Sequence, residues 1–311
     1  MKINGIPILK PEGRMQSPPL QWYPGHMARA VKALTVQLQR VDVVIEVRDA
    51  RIPRSSTHPL LATLAPTGVL VLNRRDQIPA PVGLAWVQEL RQADCPVILL
   101  EARQGQGLGQ LRQVLAQVGQ AVNQRRQRRG MLPRAVRVAV VGCPNVGKSA
   151  LINRLLGRRV APSAPKAGVT RQCQWVRLGG DLELLDTPGI LPPRLEDQTA
   201  AIHLAICDDI SEAVYDPYGI ALAFLERLWT LPAVAVHPPD GLYRRYRIDP
   251  QNHTPEGYLA ALATAKCSGD LNRSAQMVLH DFRRGYLGQI ALEVPATLGS
   301  NAVSRAINPC L

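Results

Sequence analysis

The sequence lacks the cysteine pattern of a disulfide-rich or zinc-binding protein. Its six cysteines form neither a CxxC pair nor a Cys/His group with metal-ligand spacing, and they are Cys95, Cys143, Cys173, Cys207, Cys267 and Cys310. This scatter argues against a disulfide framework and against a structural zinc site. It predicts a reducing, cytoplasmic environment.

Long apolar runs are also missing. No stretch approaches the roughly 20 apolar residues that a membrane span requires. The beginning of the chain, MKINGIPILKPEGRMQ, contains no apolar signal core. We therefore expect a soluble, cytoplasmic protein without a membrane partner.

Acidic residues are too few to balance the basic ones. The 311 residues include 24 Asp and Glu against 37 Lys and Arg, which leaves a formal net charge of +13. Such an excess favours a polyanionic partner such as RNA, DNA or an acidic membrane surface. Charge alone does not choose among these partners.

Apolar runs bounded by turn residues predict six strands, most of them separated by helical patterns. The predicted strands are Val41–Val47, Val69–Leu72, Val97–Leu100, Val136–Val141, Cys173–Leu178 and Leu182–Leu185. Alternating strands and helices predict an α/β fold with a mostly parallel, doubly wound sheet. Ligands of such sheets collect at the carboxyl ends of the strands.

Two segments outside this pattern suggest how the chain is divided. The polar, basic segment Gln120–Pro133 is interpreted as a solvated connector inside the fold, with an RNA contact as the alternative. After Asp186 only helical patterns follow. We therefore predict a sheet domain over residues 1–192, which includes the N-terminal segment 1–40, and a small α-helical domain over residues 193–311.

The strongest motif is GCPNVGKS at Gly142–Ser149, which follows a predicted strand and opens a predicted helix, Ser149–Leu156. This context favours a phosphate loop over a chance glycine-rich turn. Its backbone N–H groups would surround the β-phosphate, Lys148 would reach the β- and γ-oxygens, and Ser149 would bind Mg²⁺. The nucleotide-binding residues expected here are Asn145, Val146, Gly147, Lys148, Ser149 and Ala150.

Two shorter motifs complete a phosphate site. DTPG ends another predicted strand, where Asp186 would hold the Mg²⁺ shell through water and the N–H of Gly189 would meet the γ-phosphate. Between the two loops, Thr170 is a candidate switch threonine for Mg²⁺ and the γ-phosphate, and we count it with Lys148 among the catalytic residues. Alone, DTPG could be an ordinary turn, and an isolated threonine would be weak evidence.

The base is predicted to be guanine. Asn73, Arg74, Arg75 and Asp76 follow a predicted strand and resemble the NKxD element, in which the aspartate accepts both N1–H and N2–H of guanine. Arg74 replaces the lysine of that element. Glu101–Ala102, at the end of the next strand, is expected to supply a backbone N–H to guanine O6.

The order of these motifs is unusual. In ordinary GTPases the phosphate loop comes first and the base motif last, whereas here Asn73 precedes Gly142. The domain is therefore circularly permuted, which is tolerated where chain ends lie close together on the surface. The segment after Gly189 then leads directly into the helical domain, so the nucleotide state could reposition that domain.

With these motifs in this order, the sequence resembles the circularly permuted GTPases that assist large ribosomal subunit assembly. The matching stretches also include WYPGHM at Trp22–Met27, EVRDARIPRSS at Glu46–Ser56, and DFRRG with a later LG within Asp281–Gly288. Together they extend over almost the whole chain. The resemblance implies the permuted P-loop GTPase fold, GTP hydrolysis and a role in large-subunit maturation.

The resemblance also implies individual roles. Ile190 stands where many GTPases place the glutamine that orients the attacking water, and His26 becomes the candidate replacement. Asn145 matches the asparagine of potassium-stimulated GTPases, so K⁺ joins Mg²⁺ as an expected cofactor. Packing for His26 and a structural turn for Asn145 are the alternatives.

The C-terminal domain is expected to contact ribosomal RNA through Arg273, Arg283 and Arg284, for which a solvated helix face is the alternative. We predict a monomeric GTPase that binds GTP and GDP, is slow without its partner, and acts on the large ribosomal subunit precursor. Two other functions fit the residues: a regulatory GTPase of translation or tRNA modification, and a nucleotide-gated RNA-binding module with little hydrolysis.

Overall fold

The computed structural model describes residues 35–57, 68–91, 95–157, 174–178, 182–187 and 197–298. Its centre is a six-stranded sheet in the order β3-β2-β1-β4-β6-β5. The strands are β1 Val43–Asp49, β2 Gly68–Asn73, β3 Val97–Leu100, β4 Val136–Val141, β5 Gln174–Leu178 and β6 Leu182–Asp186. All neighbours are parallel except β5, which is antiparallel to β6.

All six predicted strands are present, and their ends differ from the predicted ones by at most two residues. The central strands are near-continuous buried apolar runs, as expected for a parallel sheet covered on both faces. Asp49 pairs with Asn73, which pairs with Leu100. The loops that follow β1, β2 and β3 therefore start side by side at one edge.

Among the described residues, the sheet part contains the helices α1 Ala80–Leu90, α2 Leu108–Arg128 and α3 Lys148–Leu156. The prediction of a connector from Gln120 onward is wrong, because α2 continues to Arg128. Glutamine and arginine are good helix formers, and the positive charges of the arginines in the last turn stabilise the helix by interacting with the negative end of its dipole. The buried residues Leu108, Leu111 and Leu115 anchor its first half.

The C-terminal part is mainly helical, as predicted. It contains α4 Gln198–Ile206, α5 Pro217–Thr230, α6 Gly241–Tyr246, α7 Pro255–Lys266 and α8 Leu271–Arg284. Side-chain oxygens cap the first turn of four of these helices, from Asp197, Asp216, Thr254 and Asp270. A short antiparallel pair, β7 Val236–His237 and β8 Gln289–Ile290, was not predicted from the sequence.

One apolar cluster joins the two parts. Val146 and Leu151, beside the sheet, belong to the same buried cluster as Leu204, Phe224 and Phe282 of the helical part. The helical part therefore packs directly on the sheet part. The predicted boundary between residues 192 and 193 lies outside the described residues and stays a prediction.

Within the described ranges, no helix is long and apolar enough to cross a membrane.

Candidate nucleotide-binding site

The phosphate loop and the base motif lie on neighbouring parts of one edge of the sheet. The phosphate loop, Gly142–Ser149, follows β4, and the base motif, Asn73–Asp76, begins at the end of β2. Strand β1 lies between β4 and β2. The fold thus places the base motif and the phosphate loop at the same edge of the sheet, although the base motif comes first in the sequence.

Asn73 connects three loops. Its Nδ2 donates to Val146 O at 2.7 Å in the phosphate loop, and its Oδ1 accepts from Ala102 N at 3.0 Å after β3. The side chain is almost fully buried, so both bonds are made away from water. Asn73 therefore holds the phosphate loop and the loop after β3 in position, rather than only marking the base motif.

Two positions of the phosphate loop require glycine because a side chain would not fit. At Gly147, φ is 102°, and an added Cβ would lie 2.3 Å from Asn73 Nδ2. At Gly142, an added Cβ would lie 2.3 Å from Val47 O. Any side chain at either position would push the loop away from the base motif or from β1.

The N-terminus of α3 is built for an anion. Gly147 is its N-cap and provides no side-chain cap, which is the local arrangement that phosphate sites use at the N-terminus of a helix. Lys148 is buried, and its Nζ donates to Gly142 O at 3.1 Å and Cys143 O at 2.7 Å. Ser149 and Ala150 are half-buried in the first turn. The loop, Lys148 and the first turn of α3 therefore lie together at the end of β4, and their contacts with a phosphate stay predictions.

Arg74 reaches from the base motif to the phosphate loop. Its backbone is left-handed, with φ 65°, and its Nη2 donates to Asn145 O at 2.8 Å. Its Nε lies 3.2 Å from Asp49 Oδ2, an ion-pair contact rather than a directed hydrogen bond. Arg74 thus contacts both the phosphate loop and the end of β1.

Arg75 and Asp76 lie on a 3-10 turn, Arg75–Gln77, and both are exposed. The turn contacts the helical part twice. Gln289 Nε2 donates to Asp76 O at 3.1 Å, and Gln77 Nε2 donates to Arg283 O at 3.3 Å. The Asp76 carboxylate is therefore accessible to a base, while its backbone is held from the C-terminal side.

The loop after β3 differs from expectation. The N–H of Ala102 donates to Asn73, and the N–H of Glu101 donates to Gln106 O at 3.0 Å. Both expected donors to guanine O6 already have acceptors in the protein. In this structure Glu101 and Ala102 support Asn73 and the loop itself, and they do not present an N–H to a base.

Asn145 has a second role that the sequence did not suggest. Its φ is 56°, as a turn asparagine allows, and its Nδ2 donates to Asp208 O at 2.6 Å, just after α4. The donor end of the amide therefore links the phosphate loop to the helical part. Its acceptor end, Oδ1, would be the ligand for a cation.

The switch residues are only partly described. The backbone of Asp186 ends β6 and pairs with Val140 of β4, which leads into the phosphate loop. Thr187 is buried, and its Oγ1 donates to Val140 O at 2.6 Å. His26, Thr170 and Gly189 lie outside the described residues, and their roles stay predictions.

The three arginines expected to contact RNA separate into two groups. Arg273 and Arg284 are exposed on α8. The prediction that Arg283 contacts RNA is corrected, because its guanidinium is bonded within the protein. It donates to Ile206 O at 3.0 Å and Ala205 O at 3.0 Å at the end of α4, and to Tyr215 Oη at 2.7 Å. It closes the end of α4 instead of facing a partner.

Sequence reasoning missed a buried ion pair beside the site. Asp49, the last residue of β1, and Arg51, two residues further on, are fully buried, with Arg51 Nη2 2.7 Å from Asp49 Oδ2. Burial raises the pKa of Asp49, but the charges of Arg51 and Arg74 outweigh it and hold the pKa below its usual range. Charged residues directly after an apolar strand, in EVRDARIPRSS, were the available signal.

Known proteins resemble this chain along most of its length. A family profile described as "50S ribosome-binding GTPase" matches residues 137–222. Ribosome biogenesis GTPase A from Bacillus licheniformis is 33% identical over 290 residues, which cover 89% of this chain and 98% of the relative. The protein of that name from Bacillus cereus is 33% identical over 294 residues, covering 90% and 95%. The chain belongs to the ribosome biogenesis GTPase A family.

A solved structure supports the fold of this family member. GNP-bound YlqF from T. maritima has a TM-score of 0.58 and 23% identity, covering 86% of this chain and 99% of that one. The predicted α/β fold with permuted motif order is confirmed. As a family member, the protein is a GTP-binding enzyme that hydrolyses GTP.

Proposed function

We propose that this GTPase assists the assembly of the large ribosomal subunit and binds precursor RNA in a nucleotide-dependent way. The observation that carries the proposal is the direct attachment of the nucleotide site to the helical part. Asn145 bonds to Asp208 O and Gln289 bonds to Asp76 O, so both the phosphate loop and the base motif contact it. The relatives named ribosome biogenesis GTPase A support the ribosomal role.

Mg²⁺ fits the donor chemistry of the site. Ser149 places a hydroxyl in the first turn of α3, and the pairing of Asp186 with Val140 brings the end of β6 beside the strand that carries the phosphate loop. Ser149, Thr170 and, through water, Asp186 would hold the ion by hard oxygen ligands. Bound Mg²⁺ neutralises charge on the β- and γ-phosphate oxygens. Lys148 adds positive charge on the same side.

K⁺ and His26 are proposed to assist GTP hydrolysis. Asn145 Oδ1 would help to hold K⁺, and His26 would orient the attacking water because Ile190 cannot. We expect slow hydrolysis by the protein alone, faster hydrolysis with large subunits, and higher rates in K⁺ than in Na⁺ at equal ionic strength. His26→Ala should lower the stimulated rate and leave GTP affinity nearly unchanged. Equal stimulated rates for His26→Ala and wild type would remove His26 from the mechanism, and equal rates in both salts would remove K⁺.

One exposed face of the helical part suits RNA. Arg273, His280 and Arg284 lie along the same side of α8, and all are exposed. Next to them, Tyr286 is 57% exposed, and the guanidinium of Arg245 lies 5.2 Å from its ring centre. Arginines bind phosphates, and an exposed tyrosine ring can stack on an unpaired base.

Co-sedimentation with immature large subunits tests the proposal. The GTP-bound form should bind, the GDP-bound form should bind less, and binding should weaken steeply as salt rises. Arg273→Glu with Arg284→Glu should weaken binding at least about tenfold without changing nucleotide affinity. Arg91→Glu, an exposed arginine of the sheet part, is the matched control. Equal particle affinity in the GDP and GTP states would contradict the nucleotide dependence.

The same experiment separates the other two functions. A regulatory GTPase of translation or tRNA modification would hydrolyse GTP but would not select immature large subunits. A nucleotide-gated RNA-binding module would bind particles without stimulated hydrolysis. Single-turnover GTP cleavage, measured with and without large subunits, therefore accompanies the binding assay.

A further inference from the structure

A ring of polar contacts joins the nucleotide site to the end of α4. From Asn145 O it passes through Arg74 to Asp49, from Asp49 to Arg51, and from Arg51 Nη2 to Cys207 O at 3.2 Å. The bond from Asn145 Nδ2 to Asp208 O closes it, since Cys207 and Asp208 are consecutive. We propose that Arg74 is a positioning residue that couples nucleotide binding to the end of α4 through this ring. This inference rests on one part of the proposed function, the dependence of the helical part on the bound nucleotide, and gives a structural route for it.

Arg74 contacts two partners with one planar group. Its Nη2 donates to Asn145 O at 2.8 Å, while its Nε lies 3.2 Å from Asp49 Oδ2 in an ion-pair contact without a directed hydrogen bond. A guanidinium holds these donors in a rigid plane, so one side chain spans both partners. A lysine ammonium is a single point at the end of a flexible stem. It could keep the carbonyl of Asn145 or the carboxylate of Asp49, but not both with the same geometry.

The Asp49–Arg51 pair is buried and held by several contacts. Both side chains have no exposed surface, and Arg51 Nε and Nη2 donate to the two carboxylate oxygens at 3.0 and 2.7 Å. The guanidinium of Arg51 also lies 5.0 Å from the ring centre of Phe282 on α8. A buried pair with these partners cannot rearrange without leaving a charge uncompensated. It therefore transmits a displacement of Asp49 to Cys207.

The turn after α4 contains a buried carboxylate. Its residue Asp209 is fully buried, and its two carboxylate oxygens have no hydrogen-bond partner among the described residues. Burial and the nearby charge of Asp49 raise the pKa of Asp209 well above its usual range, although the charges of Arg74 and Arg51 act in the opposite direction. The turn is thus sensitive to where these two arginines lie. Moving Arg74 would change the electrostatic environment of Asp209 as well as the ring.

The position of α4 gives the ring its consequence. The helix begins at Gln198, shortly after the switch segment that follows DTPG, and it ends at the ring. Through Arg74 and Asn145, the nucleotide site therefore reaches the end of α4 by contacts among the described residues. The ring is the connection that does not pass through the switch.

Hydrogen exchange of the full chain tests this coupling. The amides of Cys207, Asp208 and Asp209 donate to backbone carbonyls within α4, so their exchange reports local opening at its end. With a saturating non-hydrolysable GTP analogue, exchange in wild type should slow by at least about fivefold relative to the nucleotide-free protein. In Arg74→Lys the slowing should fall below about twofold, although the analogue still binds. Arg177→Lys, which alters an exposed arginine paired with Glu183, should behave as wild type.

Equal slowing in Arg74→Lys and wild type would overturn the proposal, and so would the absence of slowing in wild type. Saturation keeps a change in affinity separate from a change in coupling. Asn145→Ala, which removes the bond to Asp208 O, is the second variant and should reduce the slowing too. The double variant should lose less than the sum of the two single effects, because both open the same ring. The assay contains no RNA, so its failure and the failure of the ribosomal proposal are distinguishable.

Discussion

At the residue scale, Asp76 is the side chain on which base selection depends. It is exposed on a turn whose backbone is held by Gln289, so its carboxylate is available to pair with both guanine donors. Asp76→Asn should lower GTP affinity about 10–100-fold and favour xanthosine triphosphate, because the base would face a donor where it needs an acceptor. Competition binding of the two nucleotides measures this change.

Asp240→Asn is the control for this substitution, since Asp240 is an exposed carboxylate that pairs with Arg244 in the helix that follows it, α6. It should leave both affinities unchanged. Wild-type protein that binds ATP as tightly as GTP would contradict the assignment of the base motif.

The residue scale also shows the limit of motif reasoning. The positions of Asn73, Lys148 and Asp76 after predicted strands could be derived from the sequence, because each motif is local; their contacts with a nucleotide stay predictions. The roles of Glu101, Ala102 and Arg283 could not be derived in this way. Their N–H groups or guanidinium find partners, such as Gln106 O and Ile206 O, that no pattern of spacing predicts.

At the scale of an element, the phosphate loop depends on its closest approach to the base motif. Gly147→Ala would place a Cβ about where Asn73 Nδ2 lies and would break the bond from Asn73 to Val146 O. We expect GTP affinity to fall at least about tenfold and the protein to lose about 1–3 kcal/mol of stability. Isothermal titration with GTP and urea unfolding measure the two effects.

Gly109→Ala is the matched control. Gly109 lies in the first turn of α2, and an added Cβ would meet nothing within 4 Å. The substitution should keep GTP affinity and increase stability by about 0.5–1 kcal/mol, because alanine loses less backbone entropy in a helix. A Gly147→Ala variant that binds GTP like wild type would show that the contact with Asn73 does not matter.

At the scale of the whole molecule, Glu293 ties the two parts together. Its carboxylate accepts from Arg54 N at 2.6 Å and Ser55 N at 3.0 Å, after β1, and lies 3.2 Å from His203 Nδ1 on α4. Burial raises its pKa, but the hydrogen bonds from His203, Ser55 and Arg54 outweigh burial and hold the pKa below the usual 4.5. The ionised form is therefore the one that the folded protein stabilises.

The sign of the pH effect follows from that direction. A carboxylate with a lowered folded-state pKa contributes stability above its ordinary value, and this contribution is lost as the pH falls through the folded value. Glu293→Gln should lower the free energy of unfolding at pH 7 by about 1–3 kcal/mol. The difference from wild type should shrink as the pH is lowered below about 4.5. Urea unfolding between pH 7 and pH 3 checks this.

Glu226→Gln, at an exposed position on α5, should show no such pH-dependent difference. A difference between Glu293→Gln and wild type that stays constant across this range would exclude the titration of Glu293 as its cause. Other buried carboxylates, such as Asp49, contribute equally in both proteins and cancel in the comparison.

The sequence by itself determined the strands, the nucleotide motifs, their permuted order and the helical character of the C-terminal part. These features are local, because apolar runs, glycines and motif spacing act over a few neighbouring residues. Only the tertiary structure decided what supports the site. Asn73 and Val146 stand 73 positions apart, Asn145 and Asp208 stand 63 apart, and Arg51 and Cys207 stand 156 apart. Such contacts depend on how the sheet and the helical part pack, because a hydrogen bond requires its two atoms within about 3 Å of each other.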